Sequence, residues 1–236
     1  MPLPANVPPD LAERARAERA GYYGLVTALD DNVGRLLAAV DRLDIAEETI
    51  IVFTSDHGDS LDEHGLLRKS IPYDEATRVP CIVRWPGRIP ANTVLDHLFA
   101  CVDIAPTLLA CCDAVIPTSM QGHDFSSSWR GDGASVRQTV YIEGGVERSP
   151  EMESINRPVH RLPPDWRRAV RTPGGLLAAD LSGAVALLFD LARDPLAMDN
   201  LADQPRAAAA QSELLNQLLS EADTLGDTRV LQETGV

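Results

Sequence analysis

Asp56, His57 and Lys69 are the residues whose types and spacing can do chemistry. A carboxylate and an imidazole on adjacent residues can both turn toward one divalent ion, and Gly58 lets the backbone bend sharply just behind them. Carboxylate ligation suits Ca²⁺, Mg²⁺ or Mn²⁺, while the imidazole moves the preference from Ca²⁺ toward Mn²⁺ or a similar metal. The other reading of the pair is a loop in which Asp56 and His57 cap the next element. Lys69 is the only lysine among 21 Lys and Arg residues. An ammonium is a compact point charge with rotatable donors, suited to a tetrahedral oxyanion beside a metal, where the planar fork of arginine cannot simply replace it. Chance alone would also leave one lysine somewhere. His64 reads as a structural or supporting residue rather than a ligand. Glu75 and Arg78, three residues apart, read as an ion pair supporting the loop.

These residues need elements to hold them. Thr49-Ile50-Ile51-Val52-Phe53-Thr54 is β-branched and apolar almost throughout and reads as a strand buried on both faces, as in a parallel sheet covered by helices. Asp56 and His57 then lie beyond its carboxyl end, where ligands bind in open α/β sheets. Upstream, Asp10 can cap a helix running to about Leu43, with Tyr22, Leu25, Val26, Leu29, Val33, Leu36, Leu37 and Val40 on one apolar face. Downstream, Cys81 to Trp85 reads as a second buried strand. Val102 to Cys111 reads as a helix with Pro106 in its first turn. After about Gly131 the texture changes to short strand-like runs at 139–142, 167–171, 176–179 and 186–189, as in a small antiparallel sheet. An Ala/Leu-rich helix from about Arg206 to Leu225 follows. The spacing divides the chain into an α/β part, 1–131, and an α+β part, 132–236.

Composition bounds the function. The net charge is −14, with 44% hydrophobic and 24% charged residues, the profile of a globular protein. The acidic balance argues against nucleic-acid and membrane-surface partners, and no apolar run approaches the ~20 residues of a membrane span. The Pro-rich start, Met1 to Asp10, lacks the basic and apolar regions of a signal peptide, which favours the cytoplasm. Four cysteines, none in a Cys-x-x-Cys pair, read as reduced thiols.

Taken together the chain resembles the C-terminal half of a sulfatase, in the alkaline-phosphatase-like superfamily. "TIIVFTSDHGD" (Thr49–Asp59) resembles the family's second metal-ligand strand, and "EHGLLRKSIPYDEATRVPCIVRWPG" (Glu63–Gly87) the loop with its sulfate-binding lysine. "CVDIAPTLL", "QGHDFSSSWRG", "RAVRT" and "LFDLARDPLAMDNLA" are similar, in order, to later family segments. The resemblance implies an alkaline-phosphatase-like fold: the C-terminal portion of a helix-covered mixed sheet, then an antiparallel-sheet subdomain with a C-terminal helix. It implies a metal-dependent, arylsulfatase-like sulfuric ester hydrolase acting on a small-molecule or saccharide sulfate ester. Asp56 and His57 would ligate Ca²⁺ or Mn²⁺, and Lys69 would bind the sulfate and stabilise the leaving group.

Two departures matter. Many relatives carry Asn in place of His57, and His variants include relatives acting on phosphate or phosphonate esters, which keeps that activity as an alternative. The family's formylglycine nucleophile, in a Cys/Ser-x-Pro-x-Arg motif, has no counterpart in this sequence, nor do the paired early aspartates. The expectation is a truncated chain, inactive alone, whose partner is the missing N-terminal half. A non-catalytic remnant is the remaining alternative. The Pro- and Arg-rich stretch 147–166, with His160, reads as a surface loop or a lid.

Overall fold

The computed structural model describes residues 2–69, 71–133, 137–144 and 166–229. The expected loop or lid at 147–166 lies outside the described residues except for Trp166.

A 3₁₀ turn, Pro9–Leu11, leads into helix α1, Ala12–Arg42. Strand β1 is Ile51–Thr54 and β2 is Cys81–Arg84. The segment between them carries the candidate site and a short helix, α2, Asp74–Thr77. Helices α3, Ile104–Cys111, and α4, Ser126–Arg130, follow. Strands β3 (Val140–Glu143), β4 (Arg168–Arg171), β5 (Gly175–Ala179) and β6 (Val185–Asp190) form one antiparallel sheet in sequence order. Helix α5, Ala208–Leu225, closes the described chain.

The alternation of side chains in the four-stranded sheet explains its two cores. Val170, Leu177 and Leu188 face α5 and pack on Leu214 and Leu218. Ala169, Leu176, Ala178, Leu187 and Phe189 face the opposite way and pack on Leu66, Ile71, Tyr73 and Ala76. The segment that follows β1 is therefore seated on the far face of this sheet, and one core joins residues from either side of position 131. A buried bidentate pair, Arg137 Nη2 to Asp103 Oδ1 at 2.6 Å and Nε to Oδ2 at 3.1 Å, adds a second link across that point.

The expectation that β1 and β2 are buried on both faces in a parallel sheet is corrected. Among the described residues they form a two-stranded antiparallel ribbon, with Ile51 opposite Arg84 and Thr54 opposite Cys81. Val52 and Val83 pack on Cys111, Phe125 and Trp129. On the other face Ile82 is 61% exposed. A run of β-branched residues reports that both faces are apolar, but whether both are covered depends on what packs against them.

Helix α1 follows the same rule. Its first two turns are docked, with Leu11, Ala15 and Arg19 buried. Beyond them every residue from Gly21 to Asn32 is exposed. The apolar stripe lies open, with Leu25 73% and Leu36 67% exposed. The far end is tied back by Arg84 Nη2 to Asp41 Oδ1 at 2.9 Å. Asp10 sits inside the 3₁₀ turn, and the N-cap of α1 is Leu11 rather than Asp10.

Candidate active site

Strand β1 stops where its pairing with β2 stops, at Thr54 opposite Cys81. Ser55 turns the chain out of the strand: its Oγ donates to the His57 carbonyl at 2.8 Å. The Asp56 side chain projects into solvent at 82% exposure. Its Oδ1 accepts the His57 amide at 3.0 Å, and that hydrogen bond holds the carboxyl below its ordinary range.

Gly58 is required by its neighbours rather than by its own dihedrals. Its amide donates to the Ala76 carbonyl at 2.8 Å, and a Cβ at this position would stand 2.0 Å from the Glu75 carbonyl oxygen. The chain behind His57 is thus pressed directly onto α2. This approach presents the Gly58 carbonyl to His57 Nδ1 at 2.8 Å. A carbonyl only accepts, so Nδ1 donates this hydrogen bond, and a neutral ring that donates from Nδ1 keeps its lone pair on Nε2. Nε2 lies 3.5 Å from Asp56 Oδ2 and 2.8 Å from Lys69 Nζ. Lys69, twelve residues along the chain from His57, comes to the same point in space.

Its approach is set by a closed excursion of the backbone, residues 59–68. At the neck Asp59 Oδ1 accepts the Leu61 and Arg68 amides at 3.0 and 3.1 Å. The buried Ser60 binds the Arg68 carbonyl through both its amide (2.9 Å) and its Oγ (2.8 Å). Lys69 is the first residue past the neck.

The other expected residues lie deeper. His64 stacks on Tyr73, with ring centroids 4.2 Å apart and planes at 11°. Its Nε2 is 3.2 Å from Asn6 Nδ2 and 3.7 Å from Glu75 Oε1. Asn6 Nδ2 also donates to Glu75 Oε1 at 2.8 Å. Burial pushes the Glu75 carboxyl up, but His64, the Glu75 amide and the Glu63 side chain outweigh it and bring it down to about 2. Glu63 shifts the other way: burial and the neighbouring Glu75 raise it, against the Arg19 guanidinium. His64 is a packed, hydrogen-bonded residue. The expected Glu75–Arg78 ion pair is not formed, because Glu75 turns inward to Asn6 and His64 while Arg78 is exposed.

Asn6, Arg14, Arg19, Asp62 and Glu63 are absent from the sequence reading of the site. They meet across more than forty residues of chain, so no local spacing marks them. Among the described residues no group of three or more His, Cys, Asp and Glu side chains converges as a metal cage. The donor set is thus a partial fit to a divalent ion: Asp56 supplies a carboxylate, His57 a lone pair, and the remaining ligands must come from elsewhere.

The Sulfatase family model matches residues 4–114. The chain is 30% identical to an ulvan-active sulfatase of Formosa agariphila, over 95% of its own length and 42% of the relative's. It superposes on a solved structure bound to its substrate D-glucosamine-2-N,6-O-disulfate with a TM-score of 0.72 at 28% identity, covering 86% of this chain and 40% of the other. The phosphonate monoester hydrolase of Agrobacterium radiobacter gives a TM-score of 0.75 at 26% identity, with 89% and 42% covered. The chain therefore spans less than half the length of these relatives.

Proposed function

Because the chain belongs to the sulfatase family, we propose that it carries the metal- and sulfate-binding side of a centre that hydrolyses sulfate esters. The observation behind this reading is the meeting of Asp56, His57 and Lys69 at the exit of β1, with Lys69 Nζ 2.8 Å from His57 Nε2. A divalent cation, Ca²⁺ or Mn²⁺, held by the Asp56 carboxylate and His57 Nε2 would polarise the ester oxygens. The Nδ1–H donated to the Gly58 carbonyl supports His57 in that role, since it orients the ring and keeps the proton off Nε2, whose lone pair, met here by the Lys69 ammonium, would pass to the cation as Lys69 turns to the sulfate. Lys69 brings a mobile positive charge and three donors to a sulfate oxygen or to the bridging oxygen, where negative charge develops as the ester bond breaks.

Neither the attacking nucleophile nor the paired early carboxylates are in this sequence. The centre is complete only with the complementary part of the family fold, which we take as the chain's partner. The substrate class is a sulfated saccharide, by likeness to relatives whose names and bound ligand are of that kind.

The test joins this chain to a sulfatase-family segment carrying Cys/Ser-x-Pro-x-Arg. The joined protein is expected to release sulfate from an aryl sulfate with Ca²⁺ or Mn²⁺, and to lose that activity with a chelator or with Lys69→Ala. The 236-residue chain alone is expected to show no turnover. Turnover by the lone chain, or a folded joined protein that releases no sulfate, overturns the reading. His57 and the phosphonate monoester hydrolase likeness favour one alternative. Faster hydrolysis of an aryl phosphonate than of an aryl sulfate by the joined protein would establish it.

A further inference from the structure

The excursion that ends at Lys69 has backbone hydrogen bonds of its own, among them Asp62 N to the Leu66 carbonyl at 2.9 Å and Gly65 N to the Asp62 carbonyl at 3.0 Å, but it holds side-chain-bearing residues in an unfavoured conformation. Leu61, Asp62, His64 and Arg68 all have positive φ, at 44°, 69°, 53° and 64°, and Gly65 stands at 72° among them. Four side-chain-bearing residues in the left-handed region within eight positions persist only where the surroundings impose the conformation. Here the surroundings are the start of the chain. Arg14 forms a bidentate pair with Asp62, whose side chain is fully buried. Arg19 Nη2 reaches Glu63 Oε1 at 2.6 Å, with both side chains largely buried. The His64 amide donates to the Asn6 carbonyl at 2.8 Å, and the Asn6 side chain reaches His64 and Glu75.

We propose that Asn6, Arg14 and Arg19 are positioning residues for Lys69: they clamp the 60–68 excursion, and the clamp brings the Lys69 ammonium to the Nε2 of His57. The proposal rests on the reading of Lys69 as the sulfate contact for its functional meaning, but not for its geometry. A clamped excursion can leave its neck in one direction only. An unclamped one relaxes toward ordinary φ values, and the neck hydrogen bonds at Asp59 and Ser60 no longer fix where residue 69 starts. Two of the three tethers, Arg14 and Arg19, stand on α1, so the helix with the open apolar stripe also helps to set the anion-facing lysine.

The composition makes this measurable. With one lysine in the chain, growth on ¹³C,¹⁵N-lysine yields a single Cε–Nζ spin system in NMR spectra of the intact protein. His57→Ala defines the position of that signal when the ring contact is gone. The paired change Arg14→Gln with Asp62→Asn removes the first tether without stranding a buried charge, and Asn tolerates a left-handed position. It is expected to move the Lys69 signal at least half of the way to the His57→Ala position. Arg14→Lys, which keeps the charge but not the fork, should move it less. Arg19→Gln with Glu63→Gln repeats the test at the second tether, and serves alone if the first pair does not fold. Leu218→Ala, buried beneath the four-stranded sheet and touching no tether, is the control: it lowers Tm and should leave the signal in place. A Lys69 signal unmoved by the tether changes, or moved equally by Leu218→Ala, overturns the proposal. Neither result depends on turnover. A joined enzyme that stays active with Lys69→Ala would instead refute the functional reading and leave the clamp standing.

Discussion

Lys69 and Arg are not interchangeable where a tetrahedral oxyanion must be met by a point charge. Lys69→Arg in a protein with the completed centre should lower kcat by about 10²–10³-fold, the cost of removing one well-placed donor. Steady-state kinetics on an aryl sulfate checks this. A neutral swap would mean that the lone lysine is an accident of composition. The buried carboxylates carry a pH signature. Glu75 titrates at about 2 in the fold against an ordinary 4.5. Its contribution to stability is therefore present above pH 4.5 and lost as pH falls toward 2. Asp227, held below the carboxylate range first by Arg168, acts with the same sign. Glu63, raised by burial, acts with the opposite sign and offsets part of the effect. Tm measured from pH 5 to 2 should fall steadily, and Glu75→Gln should flatten that limb while lowering Tm at pH 6. At this scale Asp56, His57 and Lys69 could be picked out as a group because they lie at one strand exit and at the end of the loop that follows it. Asn6, Arg14 and Arg19 could not. An arginine that clamps a buried aspartate has the same local sequence as one that points to water.

Strands β3 to β6 and helix α5 were legible as elements because alternation and helical periodicity survive in short windows. Leu218, fully buried against Val170 and Leu188, shows what that pattern stabilises. Leu218→Ala should cost about 2–5 kcal/mol and lower Tm accordingly. The burial of β1 and β2 was not legible in the same way. Val83 and Ile82 are neighbours of similar hydrophobicity, yet one packs on the Phe125 cluster and the other faces outward. Helix α1 combines both cases. Its first turns are gripped by the excursion, and its middle carries Gly21, Gly24 and Gly34 with no tertiary cover. A stretch of that length gains little from propensity alone. Native-state hydrogen exchange should show slow amides at residues 12–20 and much faster ones at 21–36. Uniform protection along α1 would contradict this.

For the whole molecule, the open stripe of α1 and the outer face of β2 are both left without cover among the described residues. Tyr22, Leu25, Leu29, Leu36 and Ile82 are all exposed, a set larger than scattered surface apolar residues require. The chain alone should bind a hydrophobic dye and self-associate as its concentration rises, measurable by dye fluorescence and sedimentation velocity. Joining the complementary part of the family fold should suppress both. A monodisperse, dye-silent chain at high concentration would show that this face needs no partner. No helix among the described residues is long and apolar enough to cross a membrane, so a bilayer-spanning α1 does not supply that cover.

That uncovered helix has a consequence for the lifetime of the chain. Arg16, Arg35 and Arg42 punctuate α1, and the middle of the helix is unsupported. A protease reaches such a segment through local opening, at a rate set by how often the helix frays rather than by global unfolding. Survival in a cell is then expected to depend on company: chains whose α1 is covered should outlast those left bare, as a pulse-chase with and without the complementary segment would measure. The amount of this protein, before any question of turnover, would follow the supply of whatever lies on that helix.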